Sequence, residues 1–275
     1  MANAPKPTTV KQESSSASNL FATLVIPICI IIGICLYKFV LGDPNNFIDN
    51  NIENLPKPGN YGGMAYKGGV IVPILMGMLL MVVVFSVERF IVIGKATGTS
   101  SLDAFVKKVQ ALLNTNNIEA AMVECDKQKG SVANVIKSGL KKYREMEVET
   151  NMDTDQKCLA IQKDIEEATT LEMPMLEQNL TVVATLVSVG TLMGLLGTVT
   201  GMIKAFGGLA NSGAPDQAAL ATGISEALIN TATGIGTSTI AIIMYNILTS
   251  KIDKLTYAID EAGFSIIQTY ASTHK

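Results

Sequence analysis

LTVVATLVSVGTLMGLLGTVTGMIKAF, residues 180–206, and ISEALINTATGIGTSTIAIIMYNIL, residues 224–248, decide the fold. A helix crossing a bilayer takes about 20 predominantly apolar residues, and both stretches are long enough. Residues 207–223 between them read as a short loop without Lys or Arg. Both segments carry groups that a lipid-facing anchor does not need. The first holds Thr181, Thr185, Ser188, Thr191, Thr198 and Thr200 among Gly190, Gly194, Gly197 and Gly201. The second holds Ser225, Glu226, Asn230, Thr231, Thr233, Thr237, Ser238 and Thr239. The spacings Gly190-x3-Gly194 and Gly197-x3-Gly201 suit helices whose backbones approach closely. Glu226, Asn230, Thr233 and Thr237 recur at helical spacing and share one face; Thr231, Gly234 and Ser238 form the adjacent strip. Glu226 is the only carboxylate well inside a long apolar segment. A charge at mid-bilayer costs roughly 3 kcal/mol on insertion scales, so Glu226 is expected to face protein or a water path. Such a stripe suits a solvated or proton-conducting surface. The alternative is that the hydroxyls only bond their own backbone or a neighbouring helix. Lys204 stands alone and is expected to reach the interface.

Working outward, residues 1–19 lack periodicity and read as a disordered tail. Residues 20–41 are apolar over a spanning length, interrupted by Pro27 and Lys38, and read as a retained anchor; a cleaved signal peptide is the rival. Residues 42–68 are rich in Gly, Pro and Asn and read as an irregular loop. Residues 69–93 form another span, with Glu88-Arg89 as an interfacial pair near its end. Residues 94–177 form one polar, all-helical region, with Ser101 and Asn117 as N-caps. Cys158, Ile161, Ile165 and Ala168 make a stripe leading towards Leu180, so that a helix runs on into the membrane, kinked at Pro174. Ile252, Leu255, Ile259, Ala262 and Ile266 mark one face of a terminal helix over residues 251–275 that packs on the polar region.

Positive charge sets the orientation. Residues 94–177 hold 11 Lys or Arg, whereas residues 42–68 hold only Lys57 and Lys67. The polar region and the C-terminus are therefore expected in the cytoplasm and the short loops outside. The chain has 275 residues, 48% hydrophobic and 16% charged, with a mean hydropathy of +0.34. Soluble domains carry about 25% charged residues, so the composition is that of a membrane protein with one polar portion. The net charge of −3 gives no reason to expect nucleic acid. The four cysteines are not paired by spacing, and the single histidine, His274, sits at the C-terminus. No metal, cofactor or catalytic constellation is expected.

Gly194-Leu195-Leu196-Gly197-Thr198-Val199, followed by Gly201-Met202-Ile203, resembles the signature of the ExbB/TolQ/MotA proton-channel superfamily. So does Glu226-Ala227-Leu228-Ile229-Asn230-Thr231-Ala232-Thr233-Gly234, ending in Tyr245-Asn246. Ser86-Val87-Glu88-Arg89-Phe90 and the stretch from Leu171 to Glu177 resemble the end of that family's first conserved span and the lead into its next. The resemblance covers residues 69–275, is nearer to the ExbB/TolQ branch, and places the proton channel in residues 178–250. It implies a subunit of a bacterial inner-membrane motor, a homo-oligomeric ring, by family a pentamer, around an ExbD-like single-span protein with an intramembrane Asp. A TonB-like protein would take up the work in transport across the outer membrane; TolQ-like and MotA-like stators, and a non-conducting scaffold, are the alternatives. Thr198 and Thr231 match threonines that line the family's proton path, and Glu226 matches its buried glutamate. Two family prolines are replaced by Thr191 and Ile240, which implies straighter helices hydrated by Thr191, Thr237 and Thr239.

Overall fold

The computed structural model describes residues 14–211 and 217–274. Among them are nine α-helices and no strand: α1 (Ser14–Leu36), α2 (Tyr61–Tyr66), α3 (Ile71–Thr97), α4 (Leu102–Asn114), α5 (Ile118–Gln128), α6 (Gly130–Val148), α7 (Thr154–Glu177), α8 (Leu180–Asn211) and α9 (Gln217–Thr273). Four segments are long and apolar enough to cross a membrane: Phe21–Leu41, Ile71–Asn114, Leu180–Gly207 and Leu220–Thr273. The chain is an all-α membrane protein whose spanning helices continue into a helical domain.

Several boundaries differ from the sequence reading. Residues 1–13 of the expected tail lie outside the described residues, and α1 already begins at Ser14. The stretch from Ser14 to Asn19 contains no Pro or Gly, so the helix of the apolar run propagates back through it. The loop at 207–223 is also shorter than expected, since α8 continues to Asn211 and α9 starts at Gln217. Alanine and leucine at positions 218–221 are strong helix formers, and the run extends the span.

The helix expected to enter the membrane without a break is in fact two. Pro174 lies inside the last turn of α7, while the chain turns at Gln178 (ψ 143°) and Asn179 (φ 61°). Asn tolerates that left-handed backbone better than most residues. Arg89, only 2% exposed, stabilises the turn. Its guanidinium donates to the Met175 carbonyl at 3.0 Å and the Leu176 carbonyl at 3.4 Å, while pairing with Glu88. A cation on terminal helix carbonyls satisfies otherwise orphaned acceptors and complements the helix dipole. The Glu88-Arg89 motif therefore serves an internal helix end.

The residues at 42–68 form an ordered cap over one end of the spans. Phe47 is fully buried and meets the Tyr66 ring edge-on at 5.6 Å. Tyr37, in a π-helical turn after α1, stacks on Tyr66 at 4.6 Å and donates to its carbonyl at 2.8 Å. Lys67 reaches back to the carbonyls of Ile52 and Glu53. Below the cap, α1 lies against α3 at Gly33 and Gly77; a Cβ on Gly33 would come 2.7 Å from the Gly77 nitrogen. That approach is the close packing small residues permit in membranes.

At the other end, α3–α7 and the second half of α9 enclose a second core. Ile252, Leu255, Ile259, Ala262 and Ile266 are all buried there, with Val109, Ile136, Leu140 and Ile161 opposite them. The stripe expected to pack on the polar region packs on it within this chain. Asn117 caps α5 through the Ala120 amide at 3.1 Å; Ser101 occupies the N-cap of α4 without a side-chain bond. Asp153 and Gln156 form a capping box on α7.

Candidate functional site

The antiparallel pair α8–α9 is held together by missing side chains. A Cβ on Gly190 would meet Ser238 Oγ at 2.6 Å, one on Gly194 the Asn230 carbonyl at 3.2 Å, and one on Gly201 the Gly223 carbonyl at 2.8 Å; Gly197 faces Asn230. Gly234 answers from α9, with the Gly190 carbonyl and Gly194 Cα 2.7 Å from where its Cβ would be. Backbones this close fix the register of the pair.

Two side-chain contacts identify its two flanks. On one flank Thr191 donates to Ser238 Oγ at 2.9 Å. On the other, Lys204 Nζ meets Glu226 Oε1 at 2.6 Å, beside α3. Glu226 packs on Gly69, and the adjacent Asn230 donates to the Gly68 carbonyl at 2.9 Å.

The sequence-predicted residues divide between these flanks. Thr198 lies seven residues after Thr191 and Thr231 seven before Ser238, about two helical turns in each case. Both therefore fall on the flank away from α3, at one level; Thr231 reaches the Gly194 carbonyl at 3.4 Å. Thr198 is half-buried in an apolar depression with Val199, Met202, Ile203 and Phe206, and its hydroxyl is turned onto the Leu195 carbonyl at 2.5 Å. Glu226, Asn230, Thr233 and Thr237 do share a face, but that face is turned inward. Asn230 is 0% exposed and Thr237 1%. Thr233 and Thr237 donate to the carbonyls of Ile229 and Thr233, at 2.8 and 2.9 Å. The face is packed against protein, one of the two settings expected for Glu226; helical spacing establishes a common face without saying what the face meets.

Lys204 is likewise not alone. It escaped the sequence reading because its partner lies 22 positions on, across the connection. The glycine rows contain the missing signal, since pairing Gly197 with Asn230 and Gly201 with Ala227 brings residue 204 level with residues 223–226. Thr239 donates to the Ile235 carbonyl at 2.8 Å, and Thr191 also touches the Val187 carbonyl. The Thr239 hydroxyl is thus satisfied within its own helix, as Ser and Thr in membrane helices commonly are, whereas the shorter bond of Thr191 crosses the pair to Ser238.

The sequence model of the MotA/TolQ/ExbB proton channel family matches residues 127–261. The chain is 28% identical over 183 residues to the Tol-Pal system protein TolQ of Pseudomonas aeruginosa, covering 65% of this chain and 79% of that protein. It is 30% identical over 112 residues to the putative biopolymer transport protein ExbB-like 3 of Synechocystis, covering 40% of this chain and 53% of that protein. Against the biopolymer transport protein ExbB of Salmonella typhimurium it is 31% identical over 84 residues, or 30% of this chain and 34% of that protein. The chain thus spans about half the length or less of these two ExbB-type relatives. The matched region takes in both glycine rows and both threonines of the outer flank as well as the inward polar face. By these matches and by its glycine-locked pair of spans, the chain belongs to the MotA/TolQ/ExbB proton channel family.

Proposed function

We propose that this chain is the ring-forming subunit of a proton-driven motor in a bacterial inner membrane. In this reading several copies, a pentamer, surround a single-span ExbD-like partner with an intramembrane Asp. The α4–α7 domain and the C-terminus lie in the cytoplasm and the cap outside, as the distribution of Lys and Arg favours. Residues 20–41 are retained as an anchor, which their packing on α3 supports. The observation that carries the proposal is the level pair Thr198 and Thr231 on the flank of α8–α9 away from α3. They offer hydroxyls beside the surface where a partner's carboxylate would pass. Each proton crossing yields about 2.3 kcal/mol per 100 mV, available for work on the partner.

The work is directed, in this proposal, to a TonB-like protein and transport across the outer membrane. A TolQ-like output is the second reading, favoured by the extent of the match to the Pseudomonas protein named TolQ, 79% of its length. Co-purification distinguishes the two: a TonB-like or a Tol-like third component will accompany the complex. The proton path is tested by Thr198→Val and Thr231→Val, which keep shape and remove the hydroxyl. Both variants should assemble with the partner and lose proton-dependent function. If they assemble and work normally, the chain is a scaffold and the proposal fails.

A further inference from the structure

On the flank opposite Thr198 and Thr231, three elements meet through a small set of polar groups. Lys204 comes from α8, Glu226 and Asn230 from α9, and Gly68-Gly69 from the turn between α2 and α3. Lys204 Nζ lies 2.6 Å from Glu226 Oε1, with the Lys side chain 57% and the Glu side chain 11% exposed. Glu226 is pressed against Gly69, whose φ of +80° and absent Cβ leave room for the carboxylate. Asn230, fully buried one turn further along, donates to the Gly68 carbonyl at 2.9 Å. Lys67, immediately before this turn, is anchored in the cap through Ile52 and Glu53.

We propose that Lys204 and Glu226 act as one ion-paired latch that fastens the α8–α9 hairpin to the capped end of α3. Lys204 is a positioning residue and Glu226 a latch carboxylate, with neither passing protons. Three features favour a latch over a relay. The carboxylate faces α3 and not the Thr198–Thr231 flank. One of its oxygens is engaged by the ammonium of the same hairpin. The neighbouring Asn230 makes a second, uncharged attachment to the same turn. Removing the exposed lysine leaves a buried carboxylate unpartnered, whereas removing both charges does not. Residues that act as a unit therefore lose function non-additively.

The latch adds a positioning step to the proposed proton path and rests on that reading for its functional readout. The test is a double-mutant cycle in the complex with its partner, using Lys204→Met, Glu226→Gln, the double variant and Lys204→Arg. Thermal unfolding and proton-dependent function are both measured. Lys204→Met is expected to lower Tm by about 5 °C, and adding Glu226→Gln should recover part of that loss. The two single variants and the double variant should lose function to the same partial extent, and Lys204→Arg should retain it. If Glu226→Gln abolishes function while Lys204→Met keeps it, the carboxylate is a relay and the latch is wrong. If none of the variants changes either readout, the pair is incidental and the latch is equally wrong. Thr231→Val, measured in parallel, separates the two proposals. A silent Thr231→Val overturns the proton path, while the Tm cycle still decides the latch.

Discussion

Gly69 illustrates how much one position can control when it lacks a side chain. Its φ of +80° is strained for an L-residue, and Glu226 fills the space a Cβ would take. Gly69→Ala therefore carries two costs: about 1–2 kcal/mol of backbone strain and expulsion of the carboxylate from its seat. We expect Tm to fall and the coupling between Lys204 and Glu226 to disappear from the double-mutant cycle. A Gly69→Ala protein with undiminished coupling would show that Glu226 is not seated there. Arg89 presents the same economy with a charge. Arg89→Met removes the donor to two carbonyls and strands Glu88, so a loss of about 3 kcal/mol is expected, measurable by denaturant unfolding in detergent. At this scale the sequence was legible in kind but not in partnership. Glu226 stood out as a carboxylate in an apolar run, and Arg89 as a charge near a span's end. Their partners lie 22 and 86 residues away, where local spacing carries no information.

Among the elements, the hairpin was the most legible, because small residues at helical spacing are a direct record of close backbone approach. That reading makes a sharp prediction for Gly234. A Cβ there would lie 2.7 Å from the Gly190 carbonyl and from Gly194 Cα, both backbone atoms that cannot swing aside. Gly234→Ala should spread α8 from α9, weaken the Thr191–Ser238 contact and lower both stability and function. By contrast, Gly236→Ala meets nothing within 4 Å and should be close to neutral, so the pair of variants separates packing from general helix propensity in one thermal-melt comparison. The direction of the polar face was not legible, since one period of 3.6 residues fits a stripe turned to water and one turned to α3 equally well. The break at Gln178–Asn179 was hidden for a related reason. Pro174 is the conspicuous helix breaker, yet α7 runs through it to Glu177, and the turn is made four residues later where Arg89 supplies the acceptors' partner.

At the scale of the whole molecule, α9, like α3 and α8, contributes to both cores. Its 57 residues extend roughly 85 Å at 1.5 Å per residue. Ala241 belongs to the core shared with α1, α3 and α8, and Leu248 to Tyr270 belong to the core shared with α4–α7. α9 thus runs unbroken from the polar flank of the hairpin into the helical domain, where Tyr270 donates to the Met146 carbonyl at 2.8 Å and packs edge-on to Tyr143. Cys125 offers a way to ask whether the two cores open together. It is buried within the domain core, and burial, reinforced by the neighbouring Asp126 charge, pushes its thiol up to about 12. Thiolate is the reactive form, so at pH 8 the folded domain should protect Cys125 from alkylation both by access and by protonation. In a chain with the other three cysteines replaced by serine, Ile259→Ala removes a fully packed side chain from this core, at an expected cost of about 2–5 kcal/mol. Alkylation of Cys125 should then accelerate markedly. If cross-linking between cysteines placed at Thr191 and Ser238 in a parallel variant is unchanged by Ile259→Ala, the domain opens without the hairpin. Loss of that cross-link in step with Cys125 exposure would instead make the two cores one cooperative unit joined through α9.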